Sequence, residues 1–250
     1  MRSRYYVVFV MVCAMGCASD ASSDMASQSG QGGSMSIFAI SGERLYAVDD
    51  LSIHVYNIAD GKFTRENTTE VGFGIETIFA RDPYLYLGAR DAMYIYSIAD
   101  PAAPAFIFRY QHIVSCDPVV VQGNRAYVTL REGNACNVGA NALEIIDISD
   151  PYNPSLIANY PMQSPHGLSI TGKYLFVCEG QFGFKLFDVS NELEISLIKH
   201  VDNHFAYDVI ARPGHAIVTG DDGVFQYGFS VETEELTLLS TIDIEREGVQ

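Results

Sequence analysis

The chain has 250 residues, with 31 Asp and Glu against 15 Lys and Arg, and its formal net charge is −16 at pH 7. This charge argues against nucleic acid and anionic membrane surfaces as partners, because their phosphates would repel the protein. Hydrophobic residues make up 48% of the chain, which is enough at this length for one large core.

The N-terminus has the pattern of a secretory signal. Arg2 and Arg4 give it a basic start, and the apolar run over residues 5–15 is too short to span a bilayer as a stable helix. The small residue Gly16 then precedes Cys17. This arrangement resembles the lipobox of bacterial lipoproteins, in which the signal is removed before a cysteine that carries the lipid. The alternative is an ordinary secretory signal that is cleaved nearby.

The lipobox resemblance implies that residues 1–16 are a signal peptide and that Cys17 is lipidated. The mature chain would then lie in the cell envelope, attached to a membrane through its N-terminal lipid. Ala18 and Ser19 after the cysteine are similar to an outer-membrane sorting context, because no Asp follows it directly. Residues 17–35 are rich in Ser, Ala, Gly, Gln and Asp without apolar periodicity, which predicts a flexible tether.

The rest of the chain contains a five-fold repeat. A short apolar segment centred on Tyr46 returns around Tyr86, Tyr127, Phe176 and Val218. The spacings between these positions are 40, 41, 49 and 42 residues. Repeats of this length that are built from short strands predict stacked β units, which usually close into a ring.

Each unit divides into four predicted strands, in which aromatic and β-branched residues dominate. The first strands cover 36–40, 76–80, 117–121, 166–170 and 208–212, and the second strands are the repeated segments. The third strands cover 53–58, 93–98, 143–148, 184–189 and 224–229, and the fourth cover 62–68, 106–110, 156–160, 194–200 and 235–242. The sequence therefore predicts an all-β, five-bladed β-propeller of four-stranded antiparallel blades over residues 36–245. The alternative is an incomplete ring that a partner chain completes.

Several third strands carry a common pattern. In residues 143–154 an apolar strand ends in Asp147 and runs into a turn bounded by two prolines. Residues 94–104 are similar, with Ser97 at the position of Asp147, and Asp188 keeps the acid in the fourth unit. The pattern resembles the LVIVD repeat. That resemblance implies an extracytoplasmic propeller, often a lipoprotein, from a bacterial family that mostly has no assigned activity.

The acids of this pattern, Asp147 and Asp188, are expected to be structural. A carboxylate at the end of a strand can accept hydrogen bonds from backbone N–H groups of the next turn. We therefore assign neither residue to catalysis.

Three cysteines lie in the repeats, and none forms a CxxC pair, which argues against zinc-ribbon and redox sites. The strand order places Cys116 and Cys136 on one face of the disc. We expect a disulfide between them in an oxidising compartment, and two free thiols are the alternative. Cys178 lies in an apolar strand and is expected to be a buried free thiol.

The residues that open the five first strands are all polar. In an antiparallel blade these strand starts share a face of the disc, and the first strands line the central channel. The side chains should therefore form a ring at one channel mouth: Ser36, Glu76, Asp117, His166 and Asp208. Carboxylates and imidazoles can hold a divalent cation, so the ring's four titratable members are its candidate ligands. His112 and His204 lie in connections on the same face.

No catalytic signature of a serine hydrolase, zinc protease, P-loop or EF-hand is present. The sequence therefore predicts a lipid-anchored binding or scaffolding module, in which the mouth ring meets a polar ligand, a cation or an envelope protein. No cofactor beyond a divalent cation is expected. One alternative is a metal-dependent hydrolase or lyase that uses the ring, with His166 as the base. Others are a purely structural envelope protein, and a ring filled by backbone groups and ordered water.

Overall fold

A computed structural model describes residues 33–111, 118–131 and 141–244 of the chain. These residues form twenty β-strands and no helix. A helix with the length and apolarity of a membrane span is absent from these three ranges. The strands make five antiparallel sheets of four consecutive strands each, which confirms the predicted five-bladed propeller.

The five sheets are numbered as blades in chain order. Blade 1 contains β1 (Phe38–Ser41), β2 (Arg44–Val48), β3 (Ser52–Asn57) and β4 (Thr64–Glu70). Blade 2 contains β5 (Ile75–Arg81), β6 (Tyr84–Ala89), β7 (Ala92–Ser97) and β8 (Ala105–Gln111). Blade 3 contains β9 (Val119–Gln122), β10 (Arg125–Leu130), β11 (Ala142–Asp147) and β12 (Ser155–Pro161). Blade 4 contains β13 (Leu168–Thr171), β14 (Tyr174–Cys178), β15 (Phe184–Asp188) and β16 (Ser196–Val201). Blade 5 contains β17 (Asp208–Arg212), β18 (His215–Gly220), β19 (Gly223–Phe229) and β20 (Leu236–Asp243).

A two-residue turn joins the first and second strands of every blade. In blade 1 the turn lies between the paired residues Ser41 and Arg44, and the other blades pair in the same way. The equivalent position two residues into each second strand is therefore Tyr46, Tyr86, Tyr127, Phe176 and Ile217. The sequence alignment at Val218 was thus wrong by one residue, and the last spacing is 41.

The hydrophobic core is divided among the spaces between blades. Each blade has a forward face, which points to the next blade along the chain, and a backward face. Between blades 1 and 2, for example, Tyr46 and Val55 pack against Leu85 and Leu87. Comparable clusters join blades 2 and 3, blades 3 and 4, and blades 4 and 5. Among the described residues no such cluster joins blade 5 to blade 1.

The turns after the third strands explain the acids of the LVIVD-like pattern. Asp147 Oδ1 accepts a hydrogen bond from Ser149 N at 2.8 Å, and Asp188 Oδ1 accepts one from Ser190 N at 2.8 Å. Asn57 makes the same bond in blade 1, where Oδ1 lies 2.9 Å from the N of the second following residue. The predicted structural role of the two acids is confirmed.

The cysteine predictions are tested in part. Cys178 is buried and has a free thiol, as expected. Cys116 and Cys136 lie outside the described residues, so their disulfide stays a prediction.

Candidate functional site

A turn formed by residues 33–36 lies at the start of the inner strands. Ser34 in this turn is only 1% exposed. Its Oγ accepts a hydrogen bond from Leu168 N in blade 4 at 2.7 Å and donates one to Asp208 Oδ1 in blade 5 at 3.2 Å. Polar atoms of the turn thus connect two blades at the channel mouth.

The same turn reaches blade 2 through Ser36. Its backbone oxygen accepts a hydrogen bond from Ile78 N at 2.9 Å. Ser36 Oγ donates to Phe38 O at 2.7 Å. The predicted mouth residue Ser36 therefore contributes backbone and side-chain bonds that position the N-terminal turn.

Asp208 is enclosed by backbone. A Cβ atom at Gly33 would lie 1.9 Å from Asp208 Oδ2, and one at Gly167 would lie 2.2 Å from Oδ1. Burial raises the pKa of Asp208, while hydrogen bonds from Val209 and from the turn at Ser34 oppose that rise. The carboxyl group is therefore an internal anchor for the turn.

His166 lies just before β13 and is half-buried. Its Nδ1 is 2.7 Å from Ser164 O, and its Nε2 is 2.5 Å from Arg131 Nη1. Since Arg131 can only donate, Nε2 is the acceptor and Nδ1 carries the proton. Burial lowers the pKa of His166, and the charge of Arg131 lowers it further. The imidazole is therefore neutral at pH 7 and both of its nitrogens are engaged.

Glu76 lies near the start of β5 and has a cationic neighbour. Arg90 Nε is 3.2 Å from Glu76 Oε1, and Arg90 Nη2 is 3.8 Å from Asp50 Oδ1. The guanidinium of Arg90 also stacks on Phe73, 5.2 Å from the ring centroid. The charge of Glu76 is thus balanced by a positioned arginine.

These groups meet in a pocket of about 140 Å³, called the mouth pocket below. Its lining residues are Met35, Glu76, Thr77, Pro118, Arg131, Pro165 and His166. The predicted residues Glu76 and His166 therefore share one pocket, which Met35 of the N-terminal turn also lines. Ser36 lines the larger channel cavity instead, and Asp208 anchors the turn without lining the mouth pocket. Asp117 lies outside the described residues.

A metal site is not assembled by the described part of the mouth. Within it, no group of three His, Cys, Asp or Glu side chains is arranged to hold a metal ion. The proposed ligand set of Glu76, Asp117, His166 and Asp208 includes a residue that is not described, so it stays a prediction.

His204 lies in the connection before β17, and its ring packs in the core and not in the mouth pocket. Its ring stacks on Phe225 at 3.8 Å between centroids, and Nε2 lies 2.7 Å from the hydroxyl of Tyr227. The aromatic core between blades 4 and 5 accommodates it, because an imidazole can stack and hydrogen-bond at once. The other histidine, His112, lies outside the described residues.

Arg131 was not among the predicted site residues, although the repeat contains a signal for it. The first residue after each second strand is charged: Asp49, Arg90, Arg131, Glu179 and Asp221. Glu179 is fully buried, with Oε2 2.6 Å from Lys185 Nζ and Oε1 2.7 Å from Gln163 N. A charged position in all five units marks this mouth as polar.

The channel also opens on the opposite face, in a cavity of about 470 Å³. Its lining combines apolar residues such as Ile78, Val121 and Ile170 with charged ones: Arg81, Asp82 and Arg212. All five blades contribute to this cavity, so the inner strands surround one common space.

Sequence comparison fits this architecture. LVIVD repeats match residues 115–161 and 165–203, which contain most of blades 3 and 4. The chain is a five-bladed propeller that contains LVIVD repeats. No protein with curated annotation matches the sequence of this propeller.

Solved structures resemble the LVIVD-repeat propeller in fold. A Lactobacillus plantarum protein has 15% identity and a TM-score of 0.65, with 80% of this chain and 67% of that chain covered. A functionally unknown protein from Desulfotomaculum acetoxidans has 11% identity and a TM-score of 0.68, with 81% and 67% covered. Kluyveromyces lactis Hsv2p has 14% identity and a TM-score of 0.56, with 81% and 60% covered. The chain thus spans 60–67% of their lengths.

Proposed function

We propose that this LVIVD-repeat propeller is a binding or scaffolding module that takes a small polar group into the mouth pocket. A β-propeller is compatible with such a role, since the inner strands hold loop residues around a common axis. The observation that carries the proposal is the meeting of Glu76, Arg131 and His166 in one pocket.

The chemistry of the pocket favours a hydrogen-bonding ligand. Glu76 supplies acceptor oxygens, and Arg131 supplies donors beside the neutral ring of His166. A pocket of about 140 Å³ is smaller than sites for drug-sized ligands, which start near 300 Å³. The ligand is therefore a small polar molecule or the polar end of a larger one. Within the described residues nothing favours the hydrolase or lyase alternative.

Thermal melting of the purified protein tests the mouth pocket. Acetate, glycine, phosphate, Ca²⁺, Mn²⁺ and Zn²⁺ are added singly, because any ligand of the folded state raises Tm by mass action. We expect at least one of the non-metal probes to raise Tm, and Glu76→Gln and His166→Gln to abolish the shift. Glu194→Gln, at an exposed position outside the pocket, is the matched control.

The outcomes of this screen separate the alternatives. A shift that appears only with a metal ion would replace the polar-ligand proposal with the predicted cation site. No shift with any probe, or a shift that survives both pocket variants, would contradict binding at the mouth pocket.

The second part of the proposal places the propeller in the cell envelope, anchored through a lipid on Cys17. The support is the signal-like N-terminus that ends in Gly16 and Cys17. We expect the full-length protein to sediment with membranes and Cys17→Ser to be released into the soluble fraction. Cys13→Ser is the control, since the preceding Val12 is not small, and it should stay with the membranes. Membrane retention of Cys17→Ser would rule out this anchor.

A further inference from the structure

Blades 1 and 5 are buried on one face only. In blades 2, 3 and 4 the second strands are buried at every position after the first. In β18 of blade 5, by contrast, buried and exposed residues alternate, and β2 of blade 1 is buried at only two positions. Continuous burial is typical of a sheet covered on both faces, and alternation is typical of a sheet with one open face.

The open face of blade 5 is its forward face. At the forward position of the second strand, Tyr46, Tyr86, Tyr127 and Phe176 are at most 4% exposed, whereas Ile217 is 41% exposed. In blades 1 to 4 the residues paired with them on the third strands are fully buried: Val55, Ile95, Ile145 and Leu186. In blade 5 the paired residue is Gln226, which is exposed. Blade 5 therefore lacks the aromatic and aliphatic pair that packs against a following blade.

The open face of blade 1 is its backward face. Leu45 and Ala47 are only partly buried there, although Leu85 and Leu87 at the same positions of blade 2 are fully buried. Phe38 on the same face is 49% exposed. We call the space between the forward face of blade 5 and the backward face of blade 1 the cleft.

The walls of the cleft expose several large apolar side chains. Leu239 and Ile242 on the outer strand of blade 5 are exposed, in addition to Ile217 and Phe38. Gln226 and Thr219 are interspersed with them on the forward face. A mixed surface of this kind is typical of an interface that forms and dissociates, rather than of a permanent core.

The blade 5 wall of the cleft differs in charge from the whole chain, whereas the blade 1 wall carries Glu70 and the pair of His54 with Asp49. The forward face of blade 5 carries Arg212 and His215, and its one carboxylate, Asp208, is enclosed beneath the N-terminal turn. No hydrogen bond or ion pair joins Arg212 to another described side chain. In a chain with a net charge of −16, this face is suited to a partner that brings a carboxylate.

The composition of the chain limits which of its own segments could occupy the cleft. The three similar solved structures are longer than this chain, which covers 60–67% of their lengths. The polar residues 17–32 lack the alternating apolar side chains that a sheet in the cleft needs.

We propose that the cleft binds a β-sheet segment of another protein, with aliphatic side chains at alternate positions and a carboxylate directed to Arg212. The segment packs between blades 5 and 1 as a sheet, in the way that each inner blade packs between its neighbours. This site is separate from the mouth pocket, so its test does not depend on the polar-ligand proposal.

Site-specific photo-cross-linking of the full-length protein, in the cells that naturally make it, tests the proposal. Benzoylphenylalanine is placed at Ile217 and, separately, at Phe38, on opposite walls of the cleft. Leu193, which is 73% exposed in a loop of blade 4, is the control position. Mass spectrometry identifies the cross-linked segment, which is then synthesised and titrated against the purified protein.

We expect both cleft positions, and not Leu193, to capture the same segment, with alternating aliphatic residues and at least one acid. Binding of the synthetic segment should weaken about tenfold or more in Ile217→Asp and in Phe38→Asp, and stay unchanged in Leu193→Asp. Circular dichroism confirms that each variant is folded. Adducts to this chain itself, adducts to a segment without that pattern, or no cleft-specific adduct would overturn the proposal.

Discussion

His166 illustrates how the channel mouth fixes the protonation of one side chain. Burial and Arg131 lower its pKa from the usual 6.5, so the folded state binds this proton at lower pH than the unfolded state. The contribution of His166 to the free energy of unfolding has its full value well above pH 6.5. This contribution decreases as the pH falls below 6.5, until His166 also becomes protonated in the folded state. His166→Gln should reduce the dependence of the free energy of unfolding on pH over this range.

Urea unfolding between pH 7.5 and pH 5 measures the effect, as the difference between wild type and His166→Gln. His200→Gln, at an exposed position on β16, is the matched control. Equal slopes in wild type and His166→Gln would contradict a neutral, buried imidazole.

Asp208 and Ser34 give a second prediction at the residue scale. Asp208→Ala removes the acceptor of the N-terminal turn and leaves buried donors without partners, so the free energy of unfolding should fall by about 1–3 kcal/mol. Asp60→Ala, at an exposed turn, is the control and should change little. Urea denaturation measures both. An Asp208→Ala variant as stable as wild type would show that the turn is not anchored there.

The sequence predicted part of this mouth. Glu76 and His166 were found because the strand starts are polar in all units. Arg131 was missed because the residues after the second strands include both signs of charge and look like ordinary exposed turns. Ser34 was assigned to the tether, since a single buried serine leaves no periodic signal in a polar segment.

At the scale of elements, the turn after each third strand depends on one acceptor. Asp147→Ala removes the bond to Ser149 and the contact of Arg125 Nη1 with Asp147 Oδ1 at 3.2 Å. We expect a loss of about 0.5–1 kcal/mol in the free energy of unfolding. Asp147→Asn should retain most of the stability, because Asn57 makes the same turn in blade 1. Equal losses in the two variants, measured by urea unfolding, would contradict this role.

Strand bounds were predicted within two residues throughout, because apolar segments and turn residues alternate regularly. The one misassigned equivalence, at Val218, has a physical cause. Four units place a large aromatic on the forward face, and blade 5 has Ile217 there because no described blade covers it. The alignment therefore selected the neighbouring apolar residue, which points to blade 4.

At the scale of the whole molecule, five blades surround the channel, and four of the spaces between neighbouring blades are filled by apolar clusters. The sequence predicted the number of blades, since it equals the number of repeats. It left an incomplete ring only as the alternative, because strand periodicity does not report the angle between successive sheets. Blade 5 has Ile217 where the other blades have an aromatic residue, and this difference can be recognised only when the pairing of β17 with β18 is known.

Thiol labelling of two adjacent positions tests this architecture most directly. Ile217 faces the cleft and Val218 packs against blade 4, so Ile217→Cys and Val218→Cys place a thiol on opposite faces of the same strand. Reaction with a maleimide is followed by peptide mass spectrometry, with buried Cys178 as the internal reference. The open cleft predicts rapid labelling of Ile217→Cys, at a rate close to that in denaturant, and protection of Val218→Cys and Cys178. Equal protection of both introduced thiols would contradict it and indicate that blade 5 packs closely against blade 1.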